Sequence, residues 1–136
     1  MNRVFVDTLF VIALINPRDQ YHSIALGLAE VYEGYPLVTT EGVLLEIGNA
    51  LARRFKSQAI AIIDEFRQSE EVEIVTLTES LFDKGFVLYR TYSDKFWGLV
   101  DCISMIVMQE AGVDCVLTFD QHFSQAGFKA LIRDES

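Results

Sequence analysis

Apolar positions along the chain follow two different periods, which predict an alternation of strands and helices. Four short runs are rich in apolar and β-branched residues, as is typical of strands buried in a sheet. They occupy residues 3–8, 36–40, 72–77 and 114–119, and residues 128–132 form a possible fifth.

Between these runs, apolar residues recur at helical spacing. The predicted helices span residues 9–16, 19–34, 41–56, 57–68, 78–92 and 99–112. Asp19, Ser57 and Thr78 are the predicted N-caps, while Pro17 ends the first helix and Gly112 ends the last. Strands separated by such helices form parallel sheets with helices on both faces. The sequence therefore predicts a single three-layer α/β/α domain over residues 1–136, with a central, mostly parallel sheet of four to five strands.

The composition is that of a globular protein, with 51% hydrophobic and 23% charged residues in 136. The longest apolar stretches contain an acid and are too short to span a bilayer, and the N-terminus has no signal-type cleavage site. We therefore expect a cytoplasmic protein without a membrane partner. Cys102 and Cys115 both lie in apolar segments, where we expect buried, reduced thiols.

The net charge of −9 argues against a nucleic-acid binder that works through an overall basic surface. Local binding stays open, because acids gathered around metal ions present a different charge once the ions are bound. His22 and His122 stand in polar surroundings without a cysteine at zinc spacing. No Cys/His metal site is therefore predicted.

Two acids follow predicted strands directly: Asp7 closes the first strand and Asp120 closes the fourth. In an open α/β sheet, ligands bind beyond the carboxyl ends of the strands. For either acid taken alone a helix cap is the favoured interpretation, because aspartate is common in the turn after a strand.

Two further acids interrupt apolar helices. Glu46 lies between Leu45 and Ile47, and Asp101 lies between Val100 and Cys102. Charges in buried helices are costly unless they are paired or bind a metal. One interpretation is structural: Glu46 pairs with an arginine on a solvated helix face that also carries Asn49 and Arg53, and Asp101 caps its helix.

The other interpretation is that the four acids converge. Converging carboxylates repel one another unless a hard cation occupies the gap, and oxygen-only ligands suit Mg²⁺ or Mn²⁺ rather than zinc. Such an ion activates water and stabilises a leaving oxygen, so the chemistry predicted here is phosphoester hydrolysis.

Four segments carry a resemblance to a known family: "VFVDTLFVIALIN", "EGVLLEIGNAL", "WGLVDCISMIVMQEAGV" and "VLTFDQHFSQAGF". In this order and spacing they resemble the acidic blocks of PIN-domain ribonucleases, and most closely the VapC-type toxins of bacterial toxin–antitoxin pairs. The resemblance implies an endoribonuclease with one or two Mg²⁺ or Mn²⁺ ions. It also implies an RNA substrate, a homodimer, and a small antitoxin whose tail occupies the acidic groove. The implied metal-binding and catalytic residues are Asp7, Glu46, Asp101 and Asp120.

Four other side chains are predicted to support this site. Thr8 and Thr118 match hydroxyl positions of the family, and Asn49 follows Glu46 by one turn. Where many members carry a Ser or Thr shortly before the third acid, this chain has Gly98, and Ser104 is the candidate to replace that hydroxyl. Asp94 is either a further supporting acid or a helix cap.

A basic cluster follows Glu46, formed by Arg53, Arg54 and Lys56. It is either a solvated helix end or an edge that contacts RNA phosphates. The aromatic residues Tyr92, Phe96 and Trp97 are candidates for base stacking, for core packing or for a dimer surface.

Two other classes of function remain open at this point. A phosphoacceptor receiver domain also gathers acids around Mg²⁺, but it requires adjacent acids after the first strand, where this chain has Thr8 and Leu9. A PIN-like scaffold without turnover would keep the fold and lack activity. A cleavage assay with and without EDTA distinguishes the scaffold from a nuclease.

Overall fold

The computed structural model describes residues 2–132, so Met1 and residues 133–136 of the predicted domain lie outside the described part. Five parallel strands form one sheet in the order β3-β2-β1-β4-β5. The strands are β1 Val4–Val6, β2 Leu37–Thr40, β3 Val72–Val75, β4 Cys115–Leu117 and β5 Lys129–Ala130. The helices are α1 Thr8–Ile15, α2 His22–Val31, α3 Glu41–Leu51, α4 Lys56–Gln68, α5 Glu79–Thr91, α6 Leu99–Ala111 and α7 His122–Gln125.

The strand order explains how the helices form two outer layers. The chain moves from β1 through β2 to β3 in one direction and then crosses back to β4 on the other side of β1. Because such crossovers are right-handed, α1 to α4 cover one face of the sheet and α5 and α6 cover the other. The predicted three-layer α/β/α architecture is confirmed, including the fifth strand.

Burial follows from this layering. The central strands contribute side chains that are inaccessible to solvent, such as Phe5, Val38 and Val116. Strands covered on both faces read as continuous apolar runs, which is the pattern that the sequence shows. Both cysteines are free thiols, and the predicted burial holds for Cys102 but not for Cys115, which is half-buried.

The predicted boundaries between the third and fourth helices are wrong. The helix predicted to run to residue 56 ends at Leu51, and Lys56 begins α4 instead. Leu51 and Phe55 both pack against the core, and the chain turns between them with the Phe55 N–H donating to the Leu51 carbonyl. Ser57 is consequently inside α4 and caps nothing.

The N-cap predictions had mixed outcomes. Asp19 accepts a hydrogen bond from the Tyr21 N–H and so stabilises a turn before α2, which begins at His22. Aspartate favours both roles because its side chain bonds backbone N–H groups two or three residues on. The prediction for Thr78 is confirmed, since its hydroxyl accepts the Leu81 N–H at 3.1 Å at the start of α5.

The parallel arrangement brings the carboxyl ends of all five strands to one edge of the sheet. Asp7 stands directly after β1, and Thr118 and Asp120 follow β4. Asp101 lies in the first turn of α6, whose N-terminus is at the same edge because this helix returns the chain to the start of β4. No helix of residues 2–132 is long and apolar enough to cross a membrane.

Candidate active site

A cavity of about 550 Å³ opens at this edge of the sheet. The four acids singled out in the sequence all line it, although they come from four separate segments of the chain. Thr8 and Asn49, two of the four predicted supporting residues, line it as well. The complete lining is Asp7, Thr8, Leu9, Ile12, Glu46, Asn49, Ala50, Asp101 and Asp120.

Asp7 is the deepest of the four acids, with only 2% of its surface exposed. Its backbone N–H donates to the Leu117 carbonyl, which fixes it beside β4. The Thr118 hydroxyl donates to Asp7 Oδ2 at 2.7 Å. Burial raises the pKa of Asp7 to about 7; the Thr118 hydrogen bond opposes the rise, and the charge of Asp101 adds to it.

Glu46 projects from α3 and meets the hydroxyl of Thr8, which donates to Glu46 Oε1 at 2.6 Å. Partial burial raises the pKa of Glu46, and the hydrogen bond from Thr8 opposes that rise. The charges of Asp101 and Asp120 raise the pKa further. Because α3 ends at Leu51, the polar stripe predicted from Glu46 to Arg53 does not exist, and Glu46 is bonded to Thr8 instead of an arginine.

Asp101 and Asp120 meet across the imidazole of His122. Nδ1 of His122 lies 3.0 Å from Asp101 Oδ2 and 3.1 Å from Asp120 Oδ1. Asp101 Oδ2 also accepts the Gly98 N–H, so this acid caps α6 as the structural interpretation proposed while it also faces the cavity. Burial raises the pKa of Asp101, the bond from His122 opposes the rise, and the charge of Asp120 adds to it.

Thr118 links two of the acids. Its hydroxyl oxygen accepts the Asp120 N–H at 3.0 Å while its proton is directed to Asp7. The predicted supporting role of Thr118 thus corresponds to a defined pair of contacts.

Several predicted residues lie away from the cavity. Ser104 is fully buried in α6, its hydroxyl has no hydrogen-bond partner among the described residues, and it is not part of the cavity lining. The three basic residues are exposed in the turn after α3 and at the start of α4, and none makes an ion pair with a described residue. Asp94 is exposed in the turn that precedes α6 and is not part of the lining. Trp97 is buried, and its Nε1 donates to Gln125.

His122 is the residue that sequence reasoning missed. It was set aside because no cysteine stands at zinc spacing, whereas its partners are two carboxylates. The available signal was its position two residues after Asp120, which placed it at the same strand end. Asp101, Asp120 and His122 are also close enough to form a three-residue metal-binding group, with one ligand atom of each within 4.8 Å of the others.

The donor set of this cavity fits a hard divalent cation. All four acids supply carboxylate oxygens, the ligands that Mg²⁺ and Mn²⁺ favour. Burial is the main cause of the raised pKa values of Asp7, Glu46 and Asp101, and repulsion from neighbouring acids adds to it. A cation placed among these carboxylates would offset both costs. The cavity is therefore a possible metal site, and its chemistry is that of an acidic, oxygen-lined cleft at strand ends.

Comparison with known proteins agrees with this chemistry. The model of the PIN domain family matches residues 4–129. The chain is 31% identical over 127 residues to the 23S rRNA-specific endonuclease VapC20 of Mycobacterium tuberculosis, an alignment that covers 92% of this chain and 95% of the relative. The same relative is found in strains CDC 1551 / Oshkosh and ATCC 25618 / H37Rv.

A solved structure gives the same result for the fold. The crystal structure of Mycobacterium tuberculosis VapC20, described as a sarcin–ricin loop cleaving toxin, matches with a TM-score of 0.82 and 29% identity. The match covers 92% of this chain and 95% of that chain. Fold and acidic cavity define a PIN-type nuclease domain. The chain belongs to the PIN domain family, among its VapC-type toxins, and the family predicted from the four acidic segments is confirmed.

Proposed function

We propose that this protein is a metal-dependent endoribonuclease that hydrolyses RNA phosphodiester bonds in the cavity formed by Asp7, Glu46, Asp101 and Asp120. The observation that carries the proposal is the convergence of four carboxylates from four separate segments on one cavity. An isolated structural acid needs one partner, whereas this arrangement places like charges side by side and is costly without a cation. Because the related VapC20 is a 23S rRNA-specific endonuclease, ribosomal RNA is the first substrate to test.

In this mechanism the four acids would hold one or two Mg²⁺ or Mn²⁺ ions. A bound ion would supply Lewis-acid chemistry: polarisation of the phosphoryl oxygen, a more nucleophilic water and stabilisation of the leaving oxygen. The protein's own part is to hold the acids in place before the metal binds. Thr8 directs Glu46 through a 2.6 Å hydrogen bond, and Thr118 directs Asp7 through one of 2.7 Å.

The remaining polar residues are proposed to contact the RNA. The exposed Asn49 amide faces the cavity from the same helix as Glu46, where it can hydrogen-bond a phosphate oxygen or a 2′-hydroxyl. Arg53, Arg54 and Lys56 follow this helix and are exposed without ion-pair partners among the described residues. They provide the local positive charge that an acidic protein needs to hold a phosphate backbone.

Two protein partners belong to the proposal: a second copy of the chain and a small antitoxin that occupies the acidic cavity. The aromatic side chains exposed on and after α5 are a suitable surface for the second copy, since Phe96 is 92% exposed. Trp97, predicted to share this surface, is buried and does not contribute. We test this by sedimentation at micromolar concentration. If the wild-type chain is a monomer, and Phe96→Ser sediments in the same way, this dimer is excluded.

The proposal is tested by incubating the purified protein with ribosomal RNA in Mg²⁺ or Mn²⁺ and again with excess EDTA. We expect discrete cleavage products with the metal and none with EDTA. A PIN-like scaffold without turnover would yield no products under either condition. Products that persist in EDTA would show that the cleavage does not depend on a metal.

A further inference from the structure

The imidazole of His122 is held between two of the four acids. Its Nδ1 lies 3.0 Å from Asp101 Oδ2 and 3.1 Å from Asp120 Oδ1, and its backbone N–H donates to the same Asp120 oxygen at 2.9 Å. The side chain is 21% exposed, and those of the two acids are 16% and 17% exposed. Since ionised carboxylates only accept hydrogen bonds, Nδ1 is the donor in both contacts.

These contacts divide the oxygens of each acid into two kinds. Asp101 Oδ2 accepts from Gly98 and His122, and Asp120 Oδ1 accepts from the backbone and the ring of His122. The opposite oxygens, Asp101 Oδ1 and Asp120 Oδ2, accept no hydrogen bond from the described residues. The protein thus occupies one oxygen of each acid and leaves the other for a ligand.

The position of His122 argues against a role as a metal ligand. Asp101 and Asp120 line the cavity, whereas His122 is not part of its lining. To ligate a metal, Nδ1 would have to give up its proton and both of its present contacts. Those contacts are at ordinary hydrogen-bond distances, which a ring acting as a donor satisfies without rearrangement.

We propose that His122 is a positioning residue that holds Asp101 and Asp120 together through Nδ1–H, so that their free oxygens face the cavity at the spacing of a shared cation. The inference rests on the proposed metal site and names the residue that positions two of its four acids. Without a donor between them, the two carboxylates repel and separate, and the cation must then supply the energy to bring them back.

The test compares two replacements of nearly the same shape. His122→Asn keeps an N–H donor close to the position of Nδ1, and His122→Leu removes it. The affinity for Mn²⁺ is measured on the folded protein without RNA, by titration calorimetry or by the free Mn²⁺ signal in electron paramagnetic resonance. Unfolding temperatures without metal are measured alongside.

We expect His122→Leu to weaken Mn²⁺ binding by about 10- to 100-fold, the usual effect of losing a group that orients metal ligands, while His122→Asn stays close to the wild type. Unchanged Mn²⁺ affinity in His122→Leu would overturn the proposal and leave His122 a structural role. Equal losses of Mn²⁺ affinity in both variants would also overturn the proposal, because an N–H donor at this position would then not preserve metal binding. If the Leu variant does not fold, His122→Gln, which moves the amide donor further out, provides the same contrast.

RNA cleavage by the wild type, measured in parallel, separates this inference from the proposed function. A wild type that binds Mn²⁺ in a His122-dependent manner and cleaves no RNA would refute the ribonuclease and leave the role of His122 intact. RNA cleavage by the wild type, together with an Mn²⁺ affinity that does not depend on His122, would refute the role of His122 and leave the ribonuclease intact. Absence of Mn²⁺ binding by the wild type would refute both.

Discussion

The hydroxyl of Thr118 donates a 2.7 Å hydrogen bond to Oδ2 of Asp7, and both side chains are buried. The same hydroxyl accepts the backbone N–H of Asp120 at 3.0 Å. With its acceptor side engaged, the hydroxyl directs its proton to Asp7. One threonine thereby fixes the orientation of one acid and the backbone of a second, from adjacent strands β1 and β4.

Replacing this threonine tests the arrangement. Thr118→Val preserves shape but removes the donor that opposes the rise in the pKa of Asp7, so the carboxylate form becomes harder to reach. We expect Mn²⁺ affinity to fall by about 10- to 100-fold, measured by calorimetric titration. Thr118→Ser keeps the hydroxyl and serves as the control. Equal affinities in the two variants would mean that the hydroxyl does not orient Asp7 for the metal.

Metal binding should be visible as thermal stabilisation. An ion that binds only the folded state stabilises it by mass action, so Mg²⁺ or Mn²⁺ should raise the unfolding temperature of the wild type. Asp7→Asn removes one ligand charge from the deepest position of the cavity and should abolish most of that rise. A rise of the same size in Asp7→Asn would show that Asp7 is not a ligand.

The pH dependence of stability without metal follows from the raised pKa of Asp7. Its value moves from 3.8 in the unfolded chain to about 7 in the fold, so the folded state binds the additional proton between these values. The resulting stabilisation is fully present below 3.8 and is lost as the pH rises through about 7. Burial shifts the pKa values of Glu46 and Asp101 in the same direction.

In EDTA, the unfolding temperature of the wild type should therefore fall as the pH is raised from about 5 to about 8. Asp7→Asn should show a much flatter dependence over this range, because the asparagine does not titrate. Metal affinity should change in the opposite sense and strengthen with pH, since the ligands must lose their protons. Identical pH profiles for the two proteins would contradict the shifted pKa of Asp7.

Sequence patterns predicted the sheet and the four acids because each of those features is local. Asp7 and Asp120 directly follow apolar runs, and Glu46 and Asp101 interrupt apolar helices. In a parallel sheet, such positions converge without further information. The helix boundary at Leu51 was not predictable in this way, because it depends on the packing of Phe55 against the rest of the core.

The contacts that orient the acids depend on the tertiary fold. Thr118 and Asp7 are 111 residues apart, and His122 reaches Asp101 across 21 residues. No periodicity in the sequence predicts contacts between residues at these separations. Resemblance to the family marked Thr118, whereas no pattern marked His122. Ser104 was predicted to support the site and does not. It lies one helical turn after Asp101, but its side chain is buried in α6 and is not part of the cavity lining.

Glu46→Gln separates a chemical role from a structural one. Glutamine keeps the size of the side chain and can still accept the Thr8 hydrogen bond, but it removes one charge. RNA cleavage should fall by about 100-fold or more, because the cation loses a ligand charge. Stability without metal should hold or increase, because burial and the neighbouring acids disfavour this carboxylate. Lower stability combined with retained cleavage would assign Glu46 to the fold alone.

The most direct measurement compares the same substitution at two acids seven residues apart. Asp101 lines the cavity, while Asp94 is exposed in the preceding turn and is not part of the lining. Cleavage of ribosomal RNA is measured at saturating Mn²⁺ for the wild type, Asp101→Asn and Asp94→Asn, each with an EDTA control. We expect Asp101→Asn to lose about 100-fold or more of the activity, Asp94→Asn to match the wild type, and EDTA to abolish cleavage in all three. Cleavage by Asp101→Asn at the wild-type rate, or cleavage that persists in EDTA, would contradict metal-dependent catalysis in this cavity.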